Sequence, residues 1–156
     1  MDKSIFSRIL LAVDDTKCSE KAIVYAQNIV SRLEPHLAIV TVVPPTSPSA
    51  YGSDPILGQQ PVVVPELSSI QLESALEYLK DVAKKFEPAA KQITLFNKIG
   101  SVRDEILTAA EEWNCDLIIM GSNGRTGFNH LLSGSVSESV IRKATCPVMI
   151  IPGNCE

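Results

Sequence analysis

Short runs of branched apolar residues alternate along this chain with stretches of helical period, and few folds accept that alternation. Runs at 9–13, 37–43, 117–120 and 148–151 are almost wholly apolar, as strands covered on both faces are. A weaker run at 92–96, Gln-Ile-Thr-Leu-Phe, reads as a half-exposed or edge strand. Between the runs, Ala22, Ala26, Ile29, Val30 and Leu33 mark one helical stripe. Leu72, Ala75, Leu76, Leu79, Val82, Ala83 and Phe86 mark a longer one. Ser101-Val-Arg-Asp104 has the form of a capping box with Asp in the Glu position, and predicts a third helix through Trp113. A fourth is predicted from near Gly134-Ser135 to Ala144, stopped by Cys146-Pro147.

Strands alternating with helices require right-handed crossovers, which build a parallel sheet with helices on both faces. The predicted fold is therefore α/β: a doubly wound, five-stranded parallel sheet of order 3-2-1-4-5, Rossmann-like. In such sheets ligands sit beyond the strand C-termini where the winding reverses. Here that point lies between strand 1, ending at Val13-Asp14, and strand 4, ending at Met120-Gly121. The 156 residues fit one domain, 1–156, with a core large enough to need no staples.

Several functions are disfavoured by composition. A formal charge of −4 lacks the basic face that neutralises a nucleic-acid backbone. An aromatic content of 5% offers no stacking platform for single strands. No apolar run approaches the ~18 residues of a membrane span, and the N-terminus lacks a signal-peptide centre, so a cytoplasmic location is expected. Cys18, Cys115, Cys146 and Cys155 form no CxxC pair, and with only His36 and His130 no zinc ligand set is recognisable. They read as buried or incidental reduced thiols.

Two segments break the alternation. Residues 44–65 hold six of the ten prolines and a single charge, Asp54, and read as an excursion after strand 2: a surface loop, a lid or a partner site. Its apolar patches, Ile56, Leu57 and 62–64, suggest that part of it packs down. Half of the eight glycines fall in 121–134, directly after strand 4. Lacking Cβ atoms, they let backbone N–H groups approach phosphate oxygens. Gly134-Ser135-Val136 would then present free N–H groups at a helix N-terminus, with Ser135 and Ser137 adding hydroxyls. The alternative is a flexible loop ending in an ordinary Ser N-cap. Neither GxxxxGK[ST] nor GxGxxG is present.

The spacing Gly121-x2-Gly124-x9-Gly134-Ser135 instead resembles the ATP-binding signature of the universal stress protein family. The similarity extends to Ile9-Leu-Leu-Ala-Val-Asp14-Asp-Thr16, Gly100-Ser-Val-Arg-Asp-Glu-Ile106, Asp116-Leu-Ile-Ile-Met-Gly121, Gly134-Ser-Val-Ser-Glu-Ser-Val140 and Cys146-Pro-Val148. It covers nearly the whole chain outside 44–65. The resemblance implies an adenine-nucleotide site for ATP, ADP or AMP, in a stress-response regulator that hydrolyses ATP slowly at most. Asp14 would lie beside the nucleoside, and the backbone around Val42 would read the adenine edge. Met120 and Gly121 would line the nucleoside pocket, Gly124, Gly134, Ser135 and Val136 would hold the phosphates, and Ala12, Val13 and Ser122 are further cofactor-binding candidates. Mg2+ or Mn2+ bridging the phosphates is implied, without a compelling protein ligand. A homodimer through the last strand (Val148, Ile150) is implied as well, and an apolar sheet edge invites it.

Alternatives stand beside these roles. Asp14 can instead cap the entry to the first helix through Thr16 and Ser19. Arg125 is a candidate phosphate cation or a solvated loop residue. Asn123 and His130 stand where the family more often has basic residues. Trp113 reads as helix packing. No Ser-His-Asp, Cys-His or paired-carboxylate constellation is visible. A nucleotide hydrolase or transferase using Asp14, or a dimeric scaffold with a vestigial site, remain the other readings. Residues 121–145 carry Arg125, Arg142 and Lys143 against Glu138, a local +2 that leaves −6 on the remainder. Such a surface repels polyanions yet admits one small phosphate ligand.

Overall fold

A computed structural model describes residues 5–45, 65–123 and 136–153. Five strands alternate with four helices: β1 (Arg8–Ala12), α1 (Lys17–Leu33), β2 (His36–Val43), α2 (Pro65–Lys84), β3 (Gln92–Ile99), α3 (Val102–Trp113), β4 (Leu117–Asn123), α4 (Val136–Lys143) and β5 (Val148–Gly153). The strands are parallel and ordered β3-β2-β1-β4-β5, as the alternation predicts.

Strand periodicity divides the core into two layers. Ile9, Leu11, Val13, Leu37, Ile39, Leu117 and Ile119 face one side, where α1 adds Ala22, Ile23, Ala26 and Val30 and α2 adds Leu79 and Val82. Leu10, Ala12, Ala38, Val40, Ile118 and Met120 face the other, against Ile106, Ala109 and Ala110 of α3 and Val140 of α4. β1 is thus apolar on both faces, which is why no polar residue interrupts its run.

Four local features depart from the sequence expectations. β3 runs to Ile99, beyond its apolar stretch, because its pairing with β2 continues to Val43 and Ile99, and Lys98 there lies 5.7 Å from the Phe96 ring centroid and 3.9 Å from Glu112 of α3. α2 starts at Pro65, so the excursion loses its last residue to a helix, and 46–64 of it lie outside the described residues. Proline suits a first helical turn because its missing N–H is unneeded there. Ser101 precedes α3 but makes no side-chain cap bond. Asp104 is held below the usual carboxylate range by Arg103 first and then by the Ser101 side chain. Asp is one methylene shorter than the Glu of a capping box, and here its carboxylate turns to these side chains.

The thiols depart from expectation as well. Cys115 and Cys146 are free, but Cys18 is disulfide-bonded, contrary to the expectation of four reduced thiols. Spacing carries no information about which cysteines a fold brings together. Cys155 lies outside the described residues.

At the other end of the sheet, Asp116 closes the start of β1. Its carboxylate accepts from the Ser7 N–H at 2.8 Å, the Ser7 hydroxyl at 2.9 Å and the Arg8 N–H at 3.0 Å. Arg8 donates to the Trp113 carbonyl at 2.7 Å and stacks 4.2 Å from that ring centroid, so Trp113 packs the base of α3.

Candidate functional site

The two central strands end at different heights. β1 leaves the sheet after Ala12, while β4 continues beside β5 to Asn123. A step opens between β2 and β4 beyond the end of β1, at the point where the winding reverses.

Backbone direction determines what this step exposes. The Val13 N–H donates to the Val40 carbonyl at 2.9 Å, and the Gly100 N–H donates to the Val43 carbonyl at 3.1 Å. The N–H and C=O of one residue point to the same side of a strand and alternate from residue to residue. Hence odd-numbered residues at the end of β2 turn these groups to β3, and the Val42 N–H and C=O face β1. The ladder of β1 and β2 closes at Ala12 and Val40, so no β1 residue is paired opposite Val42. The same alternation on β4 turns the Gly121 carbonyl into the step from the opposite side. One donor and one acceptor of Val42 therefore line the opening.

The floor is the turn from β1 into α1. Asp14 is exposed, and its Oδ1 accepts from the Ser19 hydroxyl at 2.8 Å and from the Thr16 hydroxyl. The Asp14 N–H donates to the Ser19 oxygen at 2.8 Å. The capping alternative is thus realised in part: Asp14 organises the helix entry, while the Thr16 N-cap itself makes no side-chain cap bond. These bonds also fix the carboxylate at the mouth of the step. Ala12 and Met120 are buried on the α3 and α4 side, and half-buried Val42 packs against that layer. Val13 is different. Its side chain belongs to the opposite layer and its N–H is used, which leaves its carbonyl as the group able to face a ligand.

Gly121 has a structural role in addition. A Cβ on it would lie 2.7 Å from the Cys18 carbonyl oxygen and 3.1 Å from the Cys18 carbonyl carbon. β4 and the first turn of α1 approach so closely that no side chain fits. Ser122 follows in β4, and Val136 is the first residue of α4, 39% exposed. Gly124, Arg125, Gly134 and Ser135 lie outside the described residues, as does His130. The structure thus gathers Ala12, Asp14, Val42, Met120 and Gly121 around one step.

One contributor has no sequence signal. Tyr78 of α2 donates its hydroxyl to the Asp14 carbonyl at 2.6 Å, tying the turn to a second helix. Burial, then the charges of Asp14, Asp15 and Glu20, push its phenol up to about 12. A folded value above the unfolded one means a stabilising contribution complete below about pH 10 and lost as the pH rises towards 12. Tyr78→Phe is expected to cost about 1 kcal/mol at neutral pH, the size of one hydrogen bond at a half-exposed site. The difference from wild type should shrink between pH 10 and 12 in urea titrations. A gap that stays constant across that window would overturn the assignment.

Among the described residues no helix is long and apolar enough to cross a membrane, and no three His, Cys, Asp or Glu side chains cluster as metal ligands. The universal stress protein family profile matches residues 6–152. Universal stress protein MJ0531 of Methanocaldococcus jannaschii is 30% identical over 149 residues, covering 96% of this chain and 84% of its own. The solved structure of hypothetical protein MJ0577 superimposes with a TM-score of 0.76 at 23% identity, covering 97% of this chain and 99% of the other. A universal stress protein solved in complex with cAMP gives 0.68 at 22% identity, over 95% and 98%. With a matching profile across nearly its whole length and a fold shared with these structures, the chain belongs to the universal stress protein family.

Proposed function

We propose that this chain is one nucleotide-binding domain that holds ATP, ADP or AMP at the step between β2 and β4 and serves as a nucleotide-dependent regulator. The observation that carries this reading is that no β1 residue pairs with the Val42 N–H and C=O, which face the switch point. Its N–H and C=O match the acceptor and donor on the adenine edge. Support comes from the cAMP complex of a structural neighbour, whose ligand carries the same base.

In this reading Ala12 and Met120 pack against the nucleoside, the Val13 carbonyl and Asp14 flank the ribose, and Gly121 and Ser122 lead the chain towards the phosphates. Gly124, Arg125, Gly134, Ser135 and Val136 hold those phosphates through backbone N–H groups and one cation. Mg2+ or Mn2+ would ride on the phosphates themselves, since the described residues offer no ligand cluster. Backbone donors can stabilise phosphate charge, and among the described residues no general base stands at the step, which favours slow hydrolysis at most. A second copy pairs along β5, whose Val148 and Ile150 are only half-buried at the sheet edge. The site is that of a cytoplasmic stress-response switch.

Titration calorimetry with ATP and AMP tests the reading. The wild type is expected to bind both, and Asp14→Ala to lose about tenfold in affinity, equivalent to roughly 1.4 kcal/mol. Asp14→Asn, which keeps the acceptor oxygen, should recover part of it. Absence of binding at millimolar nucleotide, or an unchanged affinity in Asp14→Ala, would refute the assignment.

A further inference from the structure

Cys115 and Cys146 are separated by 31 positions in sequence, yet their sulfurs lie 3.6 Å apart. Cys115 sits between α3 and β4, Cys146 between α4 and β5. The register of Ile118 with Val148 places Cys115 opposite residue 145, so the two cysteines are diagonal neighbours on adjacent strand entries. Adjacent strands are about 4.8 Å apart, and disulfides span Cα separations of about 4.4–6.8 Å. Both thiols are free and half-buried, at the end of the sheet away from the nucleotide step. Nothing in the proposed nucleotide chemistry uses them.

We propose that Cys115 and Cys146 form a redox-responsive dithiol whose oxidation by a low-molecular-weight disulfide cross-links the α3–β4 and α4–β5 connections. Cys146 is the point of entry. It lies between exposed Thr145 and Pro147, whereas burial, the Cys146 contact and the Asp116 charge push the Cys115 thiol up to about 12. A thiol held neutral starts exchange slowly.

The Cys146 thiolate attacks one sulfur of the small disulfide and the other half leaves as a thiolate. The Cys115 sulfur then displaces the remaining half from Cys146, giving its proton to that departing thiolate. Two protein thiols are oxidised, and one small disulfide is reduced to two small thiols. The cross-link encloses β4, the glycine-rich segment and α4 in one covalent loop.

Oxidised glutathione is the probe. Native protein is incubated with it, free thiols are alkylated, and unreduced peptides are mapped by mass spectrometry. The expected product is a linked pair of peptides carrying Cys115 and Cys146, absent from Cys115→Ser and from Cys146→Ser. The melting temperature should rise by about 7–15 °C on oxidation, as closing a loop of this length predicts. Cys115→Ser should accumulate glutathione on Cys146, and Cys115→Ala replaces it if serine is not tolerated. Both cysteines remaining open to alkylation, or stable glutathione adducts on both without a link, would overturn the proposal. A wild-type cross-link with no adduct on Cys146 in either Cys115 variant would overturn the order of entry.

Discussion

Gly121→Ala is expected to lower the melting temperature by about 5–10 °C, the effect of roughly 2–3 kcal/mol of overpacking in a domain of this size. The added methyl would meet the Cys18 carbonyl oxygen at 2.7 Å and its carbon at 3.1 Å. Flexible side chains can swing away from such an approach, but this contact is with backbone on both sides. On one side the Gly121 peptide is held by strand pairing with Ile151. On the other, Cys18 lies in the first turn of α1 and is itself disulfide-bonded. Relief therefore requires moving a strand or a helix, and Gly121→Val should be worse than alanine. Thermal unfolding followed by circular dichroism reads the result. A shift within 2 °C, the size expected for an unstrained surface change, would show that the two backbones yield.

This close approach also shows what the chain reveals before it folds. Strands β1, β2 and β4 are buried on both faces, and their branched runs show it. β3, at an edge, mixes Asn97 and Lys98 into its second half, where the Lys98 Nζ sits over the Phe96 ring. Periodicity alone ends that strand too early. The spacing Gly121-x2-Gly124 draws attention to a phosphate loop, and the structure adds that Gly121 is also required by the packing of α1. Tyr78 reaches the site from 64 positions away, through a hydroxyl that no local pattern marks. The Cys115 and Cys146 contact is likewise tertiary, and unequal spacing conceals it. Features fixed by local period are legible; those created by two elements meeting are not.

Exchanging the base of the ligand is expected to have the larger effect on binding: AMP should bind about 10²–10⁴-fold more tightly than IMP. Adenine offers an acceptor at N1 and a donor at N6, the complement of one strand residue's N–H and C=O. Hypoxanthine reverses both, placing N1–H against the Val42 N–H and O6 against the Val42 C=O. Two hydrogen bonds are then lost and two buried groups left unpaired, each costing about 1–3 kcal/mol. Discrimination of this kind is strong because the penalty falls on the site and not only on the ligand. It is carried entirely by backbone, so side-chain substitution at Val42 should leave the ratio intact. Val42→Ile is expected to preserve preference for AMP while changing packing against Met120 and Ala12, with which Val42 shares a core layer. Competition calorimetry with AMP and IMP on wild type and Val42→Ile measures both quantities. Equal affinities for the two nucleotides would exclude the Val42 peptide as the reader of the base, even if both bind. An AMP preference that vanishes in Val42→Ile would assign the recognition to side-chain packing instead. Retention of the preference in the variant ties base choice to the point where β1 ends and β2 continues, the feature that the strand order 3-2-1-4-5 creates.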